Sequence, residues 1–159
     1  MSEIQESDLR DEYSFELFDP TLTIELRGRN AFEAFGFRDA GNVIVMDFLT
    51  KTLRETLHIL QQLDWKIEEA DHEFYLTGSP RAWRVTLRRQ GTNLEVALAE
   101  DDTSPQVVGQ ISVRDWVEGV LAFAREIFDL YQRLNPQALS RLRGERHDAQ
   151  RLEDSIASR

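Results

Sequence analysis

The chain is predicted to fold as an α+β domain: an antiparallel β-sheet of about six to eight strands with two amphipathic helices packed on one face, plus a C-terminal helical extension. Three observations predict this. Period-two alternation recurs in short stretches before, between and after two long stretches of helical period. Brief turn signals, not helices, join most of the strands, which argues against alternating βαβ units. Finally, 159 residues with no cysteine suit one domain able to bury roughly two-thirds of its unfolded surface without disulfide staples.

Residues 1–11 are charged and without periodicity, and read as a disordered acidic N-terminus. A single domain is expected over 12–135 and the extension over 136–159. Within the domain, Leu22, Ile24 and Leu26 alternate with Thr23, Glu25 and Arg27 as a half-buried strand. Phe32, Phe35 and Phe37 suggest a second strand broken by Gly36. Residues 42–48, NVIVMDF, are apolar on both faces and β-branched, as in a central strand, with Gly41-Asn42 as the turn before it.

The period then changes. Leu49, Leu53, Leu57, Leu60 and Leu63 recur at helical spacing, and Thr50 is placed to cap that helix. Trp65 and Ile67, then Phe74 and Leu76, read as short strands around a turn at Ala70-Asp71-His72. Trp83, Val85 and Leu87 alternate with Arg84, Thr86 and Arg88, and Gln90-Gly91-Thr92 closes a hairpin onto Leu94, Val96 and Leu98. Val107, Gly109 and Ile111 form the last strand. Ser112 with Asp115 three residues on signals the second helix, whose broad apolar face from Trp116 to Leu134 is stopped by Pro136. Beyond it, Leu139, Leu142, Ala149, Leu152 and Ile156 make a narrow stripe, suited to docking at an edge, docking on another chain, or fraying.

The chemistry-bearing residues point away from catalysis. No phosphate-binding glycine loop, nucleophile elbow or zinc-protease motif occurs. Three histidines, His58, His72 and His147, share no metal-ligand spacing and read as surface or edge residues. Asp101-Asp102 is a carboxylate pair, but neighbours in a solvated loop point apart and have little to raise a pKa. No catalytic, cofactor-binding or metal-binding residue is assigned, and no cofactor is expected.

Net charge is −10, which disfavours nucleic acid and anionic membranes and favours a basic partner. Arg81, Arg84, Arg88 and Arg89 are the nearest thing to a basic strip, and are read first as pairing with acids such as Glu95 across the hairpin. Two acidic groups are the candidate partner-binding residues: Glu68, Glu69, Asp71 and Glu73 about one turn, with Tyr75 out of phase with Phe74 and Leu76 beside them, and Glu100, Asp101 and Asp102 at a strand end. Trp65, Trp83 and Trp116 fall in phase with buried faces and are assigned to the core. With neither a signal-peptide pattern nor a long apolar run, a cytoplasmic location is expected.

The order of elements in FELFDPTLTIEL, VIVMDFLTKTLRETLHILQQL, WRVTLRRQGTNLEVALAE and ISVRDWVEGVLAFAREIFDLYQRL resembles the small acidic bacterial immunity proteins of polymorphic-toxin systems. The resemblance covers residues 13–134 and is one of pattern, so it transfers no binding residue. It implies a non-catalytic protein that binds a cognate toxin tightly and blocks its active site. The alternative is a structural or adaptor subunit that oligomerises or docks through residues 137–159.

Overall fold

A computed structural model describes residues 23–79 and 81–159. The expectations for residues 1–11, and for Leu22 in the first strand, lie outside the described residues. The fold is α+β with antiparallel pairing, and its main sheet has four strands, not six to eight.

The chain enters through β1 (Glu25–Leu26), paired with β2 (Arg29–Asn30) in a two-residue ladder. The three phenylalanines that follow make no strand. Ala31–Phe35 is a 3₁₀ turn, started by the Asn30 side chain accepting from the Phe32 amide at 3.0 Å and ended by Gly36 at φ 80°. What bends this stretch is the ring it surrounds. Phe32, Phe35 and Phe37 meet Trp83 edge-on, with centroids 5.0, 5.1 and 6.0 Å away, and the Trp83 indole N–H donates to the Ala40 carbonyl at 2.8 Å. Edge-to-face contact is the favoured geometry for such rings, and an alternating strand could not have turned all three toward one indole.

The NVIVMDF stretch is likewise not a central strand. Only β3 (Asn42–Val43) is extended, and α1 (Val45–Asp64) begins two residues later. Val45, Met46, Phe48, Leu49, Thr52 and Leu53 are all buried and lie on one helical face, so the β-branched run is split: Val43 ends β3, Ile44 caps the helix and Val45 opens its buried face. Thr50 therefore sits inside the helix, where its hydroxyl bonds to the Met46 carbonyl and to Glu145, both at 2.9 Å.

One long strand, β4 (Glu69–Leu76), follows α1 and removes the expected turn at 70–72. After the short β5 (Gly78–Ser79), which pairs with β3, come β6 (Trp83–Gln90), β7 (Asn93–Glu100) and β8 (Gln106–Ser112). The sheet order is β4-β6-β7-β8, antiparallel throughout. The β6–β7 hairpin has the expected form: Gln90 pairs with Asn93 across a two-residue turn in which Gly91 takes φ 56°. A bulge at Val96/Ala97 interrupts the β7–β8 pairing.

Helix α2 (Val113–Leu134) starts where the sequence placed it, Ser112 Oγ accepting from the Asp115 amide at 3.0 Å. After α3 (Pro136–Leu139) and a short 3₁₀ turn, α4 (Arg143–Ala157) packs against α1 and α2. Leu139, Leu142, Ala149 and Leu152 belong to the same hydrophobic core as Val85, Leu98, Leu53 and Val117. The C-terminal segment is thus built into the domain. Each buried leucine of this kind contributes about 1.5–3 kcal/mol through removal from water. Among the described residues no helix is long and apolar enough to cross a membrane.

Candidate functional site

The junction between α1 and β4 is shaped by a helix ending. Lys66 adopts φ 57°, its amide bonds to the Leu63 carbonyl at 3.1 Å, and the Ile67 amide reaches the Gln62 carbonyl at 3.0 Å. This is the paired closure in which the residue after the cap turns left-handed, a role usually taken by glycine because a side chain there costs about 1–2 kcal/mol. In that motif the residue in the place of Ile67 normally packs onto the residue in the place of Gln62. Here Gln62 is polar and already engaged elsewhere, so Ile67 stays 39% exposed and Trp65 is 64% exposed. The assignment of Trp65 to the core is corrected accordingly; Trp83 and Trp116 are buried as expected.

The turn is held from beneath by Arg89. Its guanidinium is fully buried and donates to the carbonyls of Ile67, Glu68 and Gly91, the last at 2.9 Å. The basic strip does not form. Arg89 points inward, Arg81 stacks over the Phe37 ring at 3.8 Å, and Arg84 and Arg88 lie on the outer sheet face. There they pair with acids on both sides: Arg88 with Asp71 at 3.2 Å and Glu95 at 4.0 Å, Arg84 with Glu73 at 3.7 Å.

The two acidic groups of the sequence are separated. Glu69 sits opposite Gln90 at one end of β6, and Glu100 opposite Trp83 at the other, about 23 Å apart at strand rise. Glu68 and Glu69 are exposed beside Trp65 and Ile67. Asp71, Glu73 and Tyr75 line the outer face of β4, and the Tyr75 hydroxyl, on a side chain 47% exposed, donates to Glu73 at 3.3 Å. At the far end Asp101, at φ 47°, ties two strands together: its amide donates to the Ala82 carbonyl at 2.8 Å and its carboxylate accepts from the Ala82 amide at 3.1 Å. Asp102 is exposed.

Beside the Trp65 turn lies a groove of about 470 Å³ between the C-terminal ends of α1 and α4 and the N-terminal end of α2. Its walls are apolar, chiefly Leu60, Leu63, Val117 and Ile156. Arg159 closes one side, donating to the Leu60 carbonyl at 3.1 Å and to Asp64 at 2.7 Å.

His72 was expected at the surface but is only 5% exposed on the inner face of β4. Its Nδ1 lies 3.1 Å from Glu55 and its Nε2 lies 2.9 Å from the Gln62 side-chain oxygen. His58, exposed, is 3.8 Å from the same Glu55 oxygen. The signal for this was present, since His72 continues the period-two phase of Phe74 and Leu76. The polar, turn-forming Asp71 beside it masks that signal, although β4 runs straight through. Among the described residues no group of three His, Asp or Glu side chains is arranged to hold a metal ion. No family model, curated protein or solved structure matches this chain.

Proposed function

We propose that this chain is a non-catalytic binding protein that engages a basic protein partner, and that it acts as a cytoplasmic immunity or inhibitor protein neutralising a cognate bacterial toxin. The observation that carries this reading is the α1–β4 turn. Trp65 and Ile67 stand exposed on a backbone clamped by Arg89, with Glu68 and Glu69 next to them. An aromatic anchor on a rigid turn loses little freedom on binding, and tryptophan is enriched among residues that dominate interfaces. Flanking carboxylates give the contact a charge preference and a salt-sensitive association rate. Glu3, Glu6, Asp8, Asp11, Glu12, Glu16 and Asp19, against Arg10 alone, place much of the chain's negative charge ahead of Thr23, where it adds to long-range attraction of a cationic partner. The order of elements, which resembles that of immunity proteins, supports the toxin as the kind of partner.

The adaptor alternative requires the C-terminal stripe to face another chain. Leu139, Leu142, Ala149 and Leu152 instead pack onto the chain's own core, so the observations favour the first reading.

The test is calorimetry together with stopped-flow binding kinetics of the purified chain against the protein encoded beside it, at low and high salt. A tight complex is expected, with an association rate that falls as salt rises, and Trp65→Ala is expected to weaken it at least about tenfold while leaving the fold intact. Absence of a complex at low salt overturns the proposal.

A further inference from the structure

The four-stranded sheet ends in β4 on one side and β8 on the other, and the two edges are finished differently. The pairing of β8 is broken by the bulge at Val96/Ala97, and Leu26 of β1 packs on its Gly109, where a Cβ would meet Leu26 at 3.0 Å. β4 has no such cover. Its eight residues include neither glycine nor proline, and they pair with β6 in unbroken register from Glu69 opposite Gln90 to Leu76 opposite Trp83. An edge of that length is usually blunted, because its outward amides and carbonyls invite another strand.

The phase of the ladder shows which groups face outward. The Gly91 amide donates to the Glu68 carbonyl at 2.8 Å. Bonding alternates along an antiparallel pair, so Ala70, His72, Phe74 and Leu76 turn their amides and carbonyls to β6, and Glu69, Asp71, Glu73 and Tyr75 turn theirs away. Thr77 continues the outward series, and its carbonyl is taken by the Ile44 amide at 2.9 Å, at the end of the antiparallel β3–β5 ladder. This edge therefore already accepts a strand at one end. Pairing stops there because the chain enters α1 at Val45. Among the described residues nothing bonds to the outward main-chain groups of Glu69, Asp71, Glu73 and Tyr75. Their side chains are all exposed on the outer sheet face. Arg88 and Arg84 reach Asp71 and Glu73 from the β6 side only.

We infer that the basic partner docks on this edge by adding an antiparallel β-strand with lysine or arginine at alternate positions. The inference rests on the reading of the chain as a binder of a basic protein, and gives the mode of binding. Main-chain bonds to the four outward residues hold the strand, and its cations fall opposite Glu69, Asp71 and Glu73, where opposite charges attract. The Trp65 turn leads into the edge at Glu69, so anchor and strand share one surface. A second copy of this chain fits poorly, since pairing β4 with itself about His72 sets Asp71 opposite Glu73 of the other copy.

The experiment titrates the full chain with a short synthetic peptide of alternating lysine and valine, read by calorimetry and hydrogen exchange. Saturable binding is expected, with exchange slowed at the amides of Glu69, Asp71, Glu73 and Tyr75 and unchanged at Ala70, His72 and Phe74. Lysines opposite the acids turn their own amides to β4. N-methylation of the lysine amides should therefore weaken binding at least about tenfold, through the hydrogen bonds removed, and N-methylation of the valine amides should leave it unchanged. A glutamate–valine peptide should not bind. The inference is overturned if the lysine peptide shows no saturable binding, if methylating either set of amides weakens it equally, or if the four amides stay unprotected. Protection of those amides without peptide, in a species of twice the chain's mass, assigns the edge to a second copy and overturns it as well. The complex with the protein encoded beside the chain is measured separately, so a chain that forms that complex but fails here loses only the strand addition.

Discussion

The Trp116 indole N–H donates a 3.0 Å hydrogen bond to the hydroxyl of Thr56, and that hydroxyl in turn donates to the Thr52 carbonyl one turn back along α1. Both residues are buried, and the bond joins the two longest helices 60 positions apart in the chain. Replacing Thr56 with valine keeps the packing volume but leaves a buried N–H unpaired, for which the cost is about 1–3 kcal/mol. Urea unfolding should show a lower midpoint with an unchanged slope, because the surface exposed on unfolding stays the same.

Helix α4 is part of the cooperative unit. Leu152 is fully buried, Arg125 pairs with Glu153, and Glu145 holds Thr50 at 2.9 Å. Leu152→Ala should destabilise the whole domain by about 2–5 kcal/mol, as large-to-small changes in packed cores do. Circular dichroism and tryptophan fluorescence should report one coincident transition. A separate early transition for the C-terminal helix would show that it is only appended.

Arg89 is predicted to fix the geometry of the Trp65 turn. Methionine in its place leaves the carbonyls of Ile67, Glu68 and Gly91 without their charged donor, at a cost of about 1.5–3 kcal/mol. Lysine should not restore it, since one ammonium cannot reproduce the planar fork that reaches three oxygens. Hydrogen exchange at the Gly91 amide, bonded to the Glu68 carbonyl at 2.8 Å, should quicken in both variants.

Tyr131 sets an alkaline limit. Its side chain is fully buried, and burial pushes its phenol well above the ordinary value of 10.0. The unfolded chain therefore loses this proton above about pH 10 while the folded chain retains it. Stability from this group is complete below that pH and falls as the pH rises beyond it. Tyr131→Phe should flatten the alkaline limb of a stability–pH profile, and an unchanged limb would assign the loss to other groups.

How far the sequence could be read depended on whether an element's signal was local. The β6–β7 hairpin follows from strict alternation on both sides of Gly91-Thr92, and α2 from Ser112 three residues before Asp115. Both rest on contacts within a few residues. The outward pairing of Arg88 with Glu95 also followed, because cross-strand neighbours are set once the hairpin register is known. The readings that failed share a different cause. A β-branched run at 43–45 fits a strand throughout, but only Val43 is in one; Ile44 caps α1 and Val45 opens it, because the core face of α1 claims the residues that follow.

The sequence by itself determined the class of fold, the central hairpin, the capped second helix, and the exposure of Tyr75, because alternation and capping act over one or two turns of chain. Tertiary structure alone decided that three phenylalanines wrap Trp83, that His72 and Arg89 turn inward, that Trp65 stands in solvent and that no described strand covers the outer edge of β4. The physical reason is that periodicity states which side chains share a face but not what covers that face. Cover is supplied by residues 40 or more positions away, as Ala40 and Trp83 are, or Thr56 and Trp116.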